Sequence, residues 1–185
     1  QLGSEYVFKT EVFGDAPITS SGIQQGNLYV KGYGDPTLHT ENALQVQEGV
    51  SIEKIAGWLK QQGITRINGN LVMDDSYFDQ QRLGLGWAWD DESYYYNPTI
   101  GALALNRGTV MIEFKPANDA GKPVDINVLP KTTYVQVINE AKTVQKGEEN
   151  TFVILRDRGT NTIRLSGNLP LDHEGDYERV PVEEP

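Results

Sequence analysis

An α+β fold, rich in β structure, with antiparallel sheets and one or two helices, is what this sequence predicts. Three observations carry that expectation. Nineteen glycines and nine prolines stand against two methionines among 185 residues, so turns must be frequent. Apolar and polar residues alternate over short runs bounded by Gly, Asp, Pro or Ser, the pattern of half-buried strands. Only one stretch shows clear helical spacing.

Taken in order, strands are expected at 6–13 and 26–32. A helix follows, in which Ile52, Ile55, Ala56 and Leu59 share a face, Ser51 stands at the N-cap position and Gly63 at the stop. An aspartate at position 51 is expected to cap equally well. A second, weaker helix is expected over 41–48. Strands resume at 67–73, 101–106, 110–114, 133–138, 152–156, 162–165 and 177–180. Residues 115–123 read as a turn-rich loop and 145–150 as a charged hairpin tip. Gly-Asn-Leu occurs at 26–28, 69–71 and 167–169. The irregular spacing favours a shared way of turning into a strand over a repeated unit.

Composition narrows the function. A net charge of −10 repels nucleic acid and anionic membrane alike. The chain has no cysteine, which removes thiol catalysis, disulfides and sulfur-ligated metals. No apolar run approaches the roughly 18–20 residues of a membrane span, and no signal peptide is seen. Neither the opening Gln1-Leu2-Gly3-Ser4 nor the closing Val182-Glu183-Glu184-Pro185 reads as a natural terminus, so a segment of a longer chain is expected.

Several residue patterns invite a catalytic reading. Ser51-Ile52-Glu53-Lys54 matches the Ser-x-x-Lys pattern in which a lysine one turn on activates a serine at a helix start. Ser166-Gly167-Asn168 matches the accompanying Ser-x-Asn element. The third element, Lys-Thr-Gly, is missing: Lys131-Thr132-Thr133 lacks the glycine and precedes Ser-x-Asn instead of following it. Ser51 is therefore read as a helix cap, Lys54 as a solvated side chain and 166–168 as a turn. His39 and His173 lack metal-ligand spacing, so no metal and no cofactor is expected. Asp74, Asp75, Asp79, Asp90, Asp91 and Glu92 supply carboxylates in number, but as turn formers and solvated charge. The densest feature is the stretch from Gly86 to Pro98, which holds Trp87, Trp89, Tyr94, Tyr95 and Tyr96. Such rings either stack on sugars or pack on the local core or a neighbouring domain, and packing is the favoured reading.

Five stretches carry a family resemblance. They are Leu2-Gly3-Ser4-Glu5-Tyr6-Val7-Phe8-Lys9-Thr10; the run from Gly26-Asn27-Leu28-Tyr29-Val30-Lys31-Gly32 to Gly34-Asp35-Pro36-Thr37-Leu38; Gly69-Asn70-Leu71-Val72-Met73-Asp74-Asp75; Gly86-Trp87-Ala88-Trp89-Asp90-Asp91; and Asn97-Pro98-Thr99-Ile100-Gly101-Ala102-Leu103. Together they resemble the class C low-molecular-mass penicillin-binding proteins, secreted or periplasmic D-Ala-D-Ala carboxypeptidases and endopeptidases. In that family a large insertion, folded as two accessory domains with one nested in the other, separates Ser-x-x-Lys from Ser-x-Asn. The chain looks like that insertion. The resemblance implies an outer domain of 1–35 with 140–185 around a nested domain of 36–139. It also implies that the catalytic residues lie outside the chain, that the catalytic domain of the parent chain is a partner, and that peptidoglycan is a candidate partner. The location would be extracellular, in the cell wall or the periplasm. An inserted region should also bring its first strand (6–13) beside its last (177–182). A free-standing cell-wall glycan- or protein-binding module, using the aromatic stretch, is the alternative.

Overall fold

The computed structural model describes residues 3–41, 49–79 and 81–184, so the helix expected over 41–48 lies almost wholly outside the described residues. The chain divides into two compact units, 1–82 with 100–107 and 83–99 with 108–185. This division differs from an outer unit of 1–35 with 140–185 around 36–139. The reason is strand pairing, since 176–181 forms a sheet with 109–115 and so joins segments the expectation had separated.

The first unit contains β1 (Thr10–Gly14), β2 (Ile23–Gln24), β3 (Leu28–Gly32), α1 (Ile52–Gln61), β4 (Arg66–Ile67) and β5 (Leu71–Asp74). β1 and β3 pair antiparallel, β3 and β5 parallel, and β2 and β4 form a short parallel pair. A parallel pair needs a crossover, and α1 supplies it between β3 and β5. Ile55 of α1 joins Val30, Leu38 and Leu103 in a small core, flanked by Val12, Val50, Ile52, Leu59 and Leu105.

Both ends of α1 are capped as their residues dictate. The Ser51 hydroxyl accepts the Lys54 amide at 3.1 Å. At the other end the Gly63 amide reaches the Lys60 carbonyl and the Ile64 amide the Leu59 carbonyl, the paired bonds of a glycine-terminated helix. The expectation for aspartate at 51 needs correction. Ser51 is 1% exposed, so a carboxylate there would be buried and costly.

Two of the three Gly-Asn-Leu copies lie side by side. Asn27 Oδ1 accepts the Asn70 amide at 3.0 Å and its Nδ2 at 3.3 Å, while Leu28 stands opposite Leu71. A Cβ on Gly69 would sit 2.3 Å from the Gly26 carbonyl oxygen, so only glycine lets these backbones approach. The tripeptide thus sets the register of two parallel segments.

The second unit contains β6 (Thr109–Lys115), β7 (Asp125–Leu129), β8 (Gln136–Asn139), β9 (Lys142–Val144), β10 (Val153–Arg156), β11 (Thr162–Ser166), β12 (Asn168–Pro170) and β13 (Asp176–Pro181). One sheet runs β13-β6-β7, a second β10-β11-β8, and β9 pairs with β12. Val110, Ile112, Ile154, Ile163, Leu165, Leu169 and Val180 form the larger core. Alternation explains the selection: in β11, Ile163 and Leu165 are buried while Arg164 is exposed.

The α+β, β-rich class holds, with parallel pairs added to antiparallel ones. Three expectations about single elements do not. Residues 101–106 are a loop, with Ala102 and Leu103 buried in succession and the Gly34 amide bonded to the Ala102 carbonyl at 2.7 Å. Residues 145–150 make a turn, but it joins β9 and β10, which belong to different sheets, so there is no hairpin. Among the described residues the expected first and last strands are not paired with each other: β1 pairs with β3 and β13 with β6. Among the described residues no helix is long and apolar enough to cross a membrane.

Candidate functional site

The residues with catalytic patterns are committed to structure. Ser51 is buried with its hydroxyl taken by the helix N-terminus, and the Lys54 ammonium bonds the Gly49 carbonyl at 3.4 Å. Ser166 ends β11 and Asn168 begins β12, with Gly167 between them turning the chain from one sheet to the next. In the 131–133 segment, Thr132 Oγ1 accepts the Tyr134 amide at 3.0 Å. His39 is buried with Nδ1 2.8 Å from the Thr37 carbonyl, and the His173 ring nitrogen accepts the Gly175 amide at 3.0 Å. Among the described residues no group of three or more His, Asp or Glu side chains is arranged to hold a metal ion.

The acidic residues divide by task. Asp74 pairs with Lys31 at 3.1 Å, and Asp75 with Arg82 at 2.6 Å. Hydrogen bonds from Ser76, and then Lys31, hold the Asp74 carboxyl down to about 2, so it is ionised and satisfied rather than poised for proton transfer. Asp79 accepts the Gln81 amide at 3.1 Å in a local turn. Glu92 is engaged by Arg158 through both carboxylate oxygens, at 3.0 and 3.1 Å.

The aromatic stretch remains, and its rings face outward. Trp89 is 69% exposed, Tyr95 59% and Tyr96 58%, with Trp87 and Tyr94 near 40%. Packing in the local core, one half of the favoured reading, is therefore not what these rings do. Tyr94 and Tyr96 stack with centroids 5.6 Å apart and planes 7° apart, and Tyr95 meets Tyr96 edge-on. The Tyr96 hydroxyl donates to Asp91 Oδ1 at 2.9 Å, and that carboxylate, followed by burial, raises the phenol above its ordinary pKa. Leu85, just before the stretch, is 94% exposed.

Polar anchors hold the same stretch in place. Trp89–Asp91 forms one turn of 3-10 helix. The Tyr94 amide bonds the Asp91 carbonyl, and the Asn97 amide bonds the Tyr94 carbonyl, each at 2.9 Å. The buried Asn97 and Thr99 side chains reach the Ala88 carbonyl at 3.4 Å and the Val182 carbonyl at 3.1 Å. Ser93 bonds the backbone of Arg156, whose guanidinium touches the Glu92 carbonyl. No sequence signal points to Arg156, because a lone arginine at a strand end reads as solvated. The result is a set of outward rings on a stretch held by its own polar bonds.

The sequence profile of the D-Ala-D-Ala carboxypeptidase 3 (S13) family matches residues 1–185. A D-alanyl-D-alanine carboxypeptidase from Actinomadura sp. (strain R39) is 34% identical over 92% of this chain and 31% of its own length. The D-alanyl-D-alanine carboxypeptidase DacB of Haemophilus influenzae is 31% identical over 80% of this chain and 28% of its own length. Among solved structures, penicillin binding protein 4 from Haemophilus influenzae superimposes with a TM-score of 0.73 at 26% identity, covering 96% of this chain and 37% of that one. The chain thus spans about a third of the length of these relatives.

Proposed function

This chain belongs to the D-Ala-D-Ala carboxypeptidase 3 (S13) family, and from that premise we propose that it is a non-catalytic accessory region of a longer serine-type D-Ala-D-Ala carboxypeptidase. The longer enzyme would remove the terminal D-Ala of peptidoglycan stem peptides through an acyl-enzyme, outside the cytoplasm where its substrate lies. The observation that carries this reading is Ser51. It is the one serine here in a Ser-x-x-Lys pattern, and its hydroxyl is buried and bonded to the backbone of α1. A nucleophile must present its oxygen to substrate, and this one is buried and bonded to the helix backbone. The aromatic surface is then the face that meets the catalytic domain of the same enzyme, since large exposed apolar patches mark contact sites.

Ser51→Ala in the longer enzyme tests the reading. Acylation by penicillin should proceed at the unaltered rate, while this region loses about 1 kcal/mol of stability from the missing cap. Loss of acylation with stability intact would reverse the assignment.

The outward rings also favour a second reading, a free-standing cell-wall glycan- or protein-binding module. A pull-down of this chain alone with purified peptidoglycan separates the two, because such a module must retain its ligand unaided.

A further inference from the structure

Arg156 is a charged residue in an unusual place. It ends β10, and its side chain is only 2% exposed. Burying a guanidinium is costly unless its donors are matched. Nη1 serves the Thr160 carbonyl at 2.8 Å and the Glu183 carboxylate, and Nη2 the Glu92 carbonyl at 3.2 Å. Nε has no partner among the described residues. The backbone of Arg156 meets the same stretch again, its amide donating to Ser93 Oγ at 3.0 Å. Glu183 is itself held, with its amide on Asn161 Oδ1 and its carbonyl accepting the Tyr134 hydroxyl, each at 2.8 Å.

These bonds fall at 92 and 93, between Trp89 on one side and Tyr94, Tyr95 and Tyr96 on the other. We propose that Arg156 is the positioning residue of the aromatic surface, a buried guanidinium, braced by Glu183, that sets where the rings stand. The proposal rests on reading that surface as a contact face. Lysine would keep the charge but cannot reach several acceptors in one plane, so the fork itself matters.

The test compares Arg156→Met, Arg156→Lys and Ser93→Ala by amide hydrogen exchange in this chain. Protection over 88–97 should fall roughly tenfold or more in Arg156→Met, the scale of one lost charge-assisted hydrogen bond. Arg156→Lys and Ser93→Ala should lose less, and the amides of β6 and β11 should keep their protection in all three. Unchanged protection over 88–97, or an equal loss in β6 and β11, would overturn the proposal. If Arg156→Met does not fold, the other two variants decide by the same readout. The measurement does not involve a catalytic domain. A contact reading that fails in the longer enzyme while the exchange result stands is therefore a separate outcome.

Discussion

Gly167→Ala is expected to destabilise the second unit by roughly 2–4 kcal/mol, more than other glycine substitutions in that unit. Two effects add. Gly167 has φ +83, where a side chain costs about 1–2 kcal/mol by itself. A Cβ there would also lie 2.0 Å from the Thr151 carbonyl oxygen, a backbone atom that cannot swing aside. The approach cannot relax cheaply, because the Thr151 amide bonds the Asn168 carbonyl and the Lys142 amide bonds the Gly167 carbonyl, each at 3.0 Å. Gly159 is the control. It has φ +67, and a methyl group added there would meet nothing within 4 Å, so Gly159→Ala should cost only the backbone penalty. Denaturant midpoints of the two variants give the comparison, and equal losses would refute the steric account.

The same position shows what is legible in the sequence. Gly167 stands out as part of a Ser-x-Asn lookalike and of a recurring Gly-Asn-Leu, and both are sound as turn signals. The register between Asn27 and Asn70 is not legible, because it is a contact between residues 43 apart that no local pattern encodes. Helix α1 is legible at both ends, since caps are local chemistry. The strands β7, β9 and β12 escape sequence reasoning: β9 and β12 are three residues each, and β7 alternates behind a loop rich in turn residues. The 101–106 loop mimics a strand because the short apolar run Ala-Leu-Ala-Leu reads as a buried strand whether or not a partner strand exists. The pairing of β13 with β6 is not legible either, because it spans some sixty intervening residues. The aromatic stretch is recognisable from density alone, but the outward direction of its rings and the Arg156 anchor beneath it are tertiary facts.

Substitutions on that surface should separate folding from function more sharply than any others in the chain. Trp89→Ala and Tyr96→Ala remove rings that are 69% and 58% exposed, so each should change stability by no more than about 1 kcal/mol. A buried aromatic would cost about 3–5 kcal/mol. In the longer carboxypeptidase proposed above, Trp89→Ala should lower the rate of D-Ala release tenfold or more. The basis is that a tryptophan at the centre of a contact is worth at least about 2 kcal/mol. Thermal midpoints of this chain and turnover of the longer enzyme on a stem-peptide substrate are the two measurements. A large loss of stability would place the rings in the fold rather than in a contact, and unaltered turnover would remove the contact role.

Exposure of this chain by itself to a fluorescent penicillin tests most directly whether it carries a catalytic centre. A serine acyl-transfer site would retain the label covalently, one per chain, through its nucleophile. With the Ser51 hydroxyl buried in a helix cap and no Lys-Thr-Gly strand in the sequence, no stoichiometric label should remain after denaturation. Stoichiometric labelling that disappears in Ser51→Ala would contradict the account.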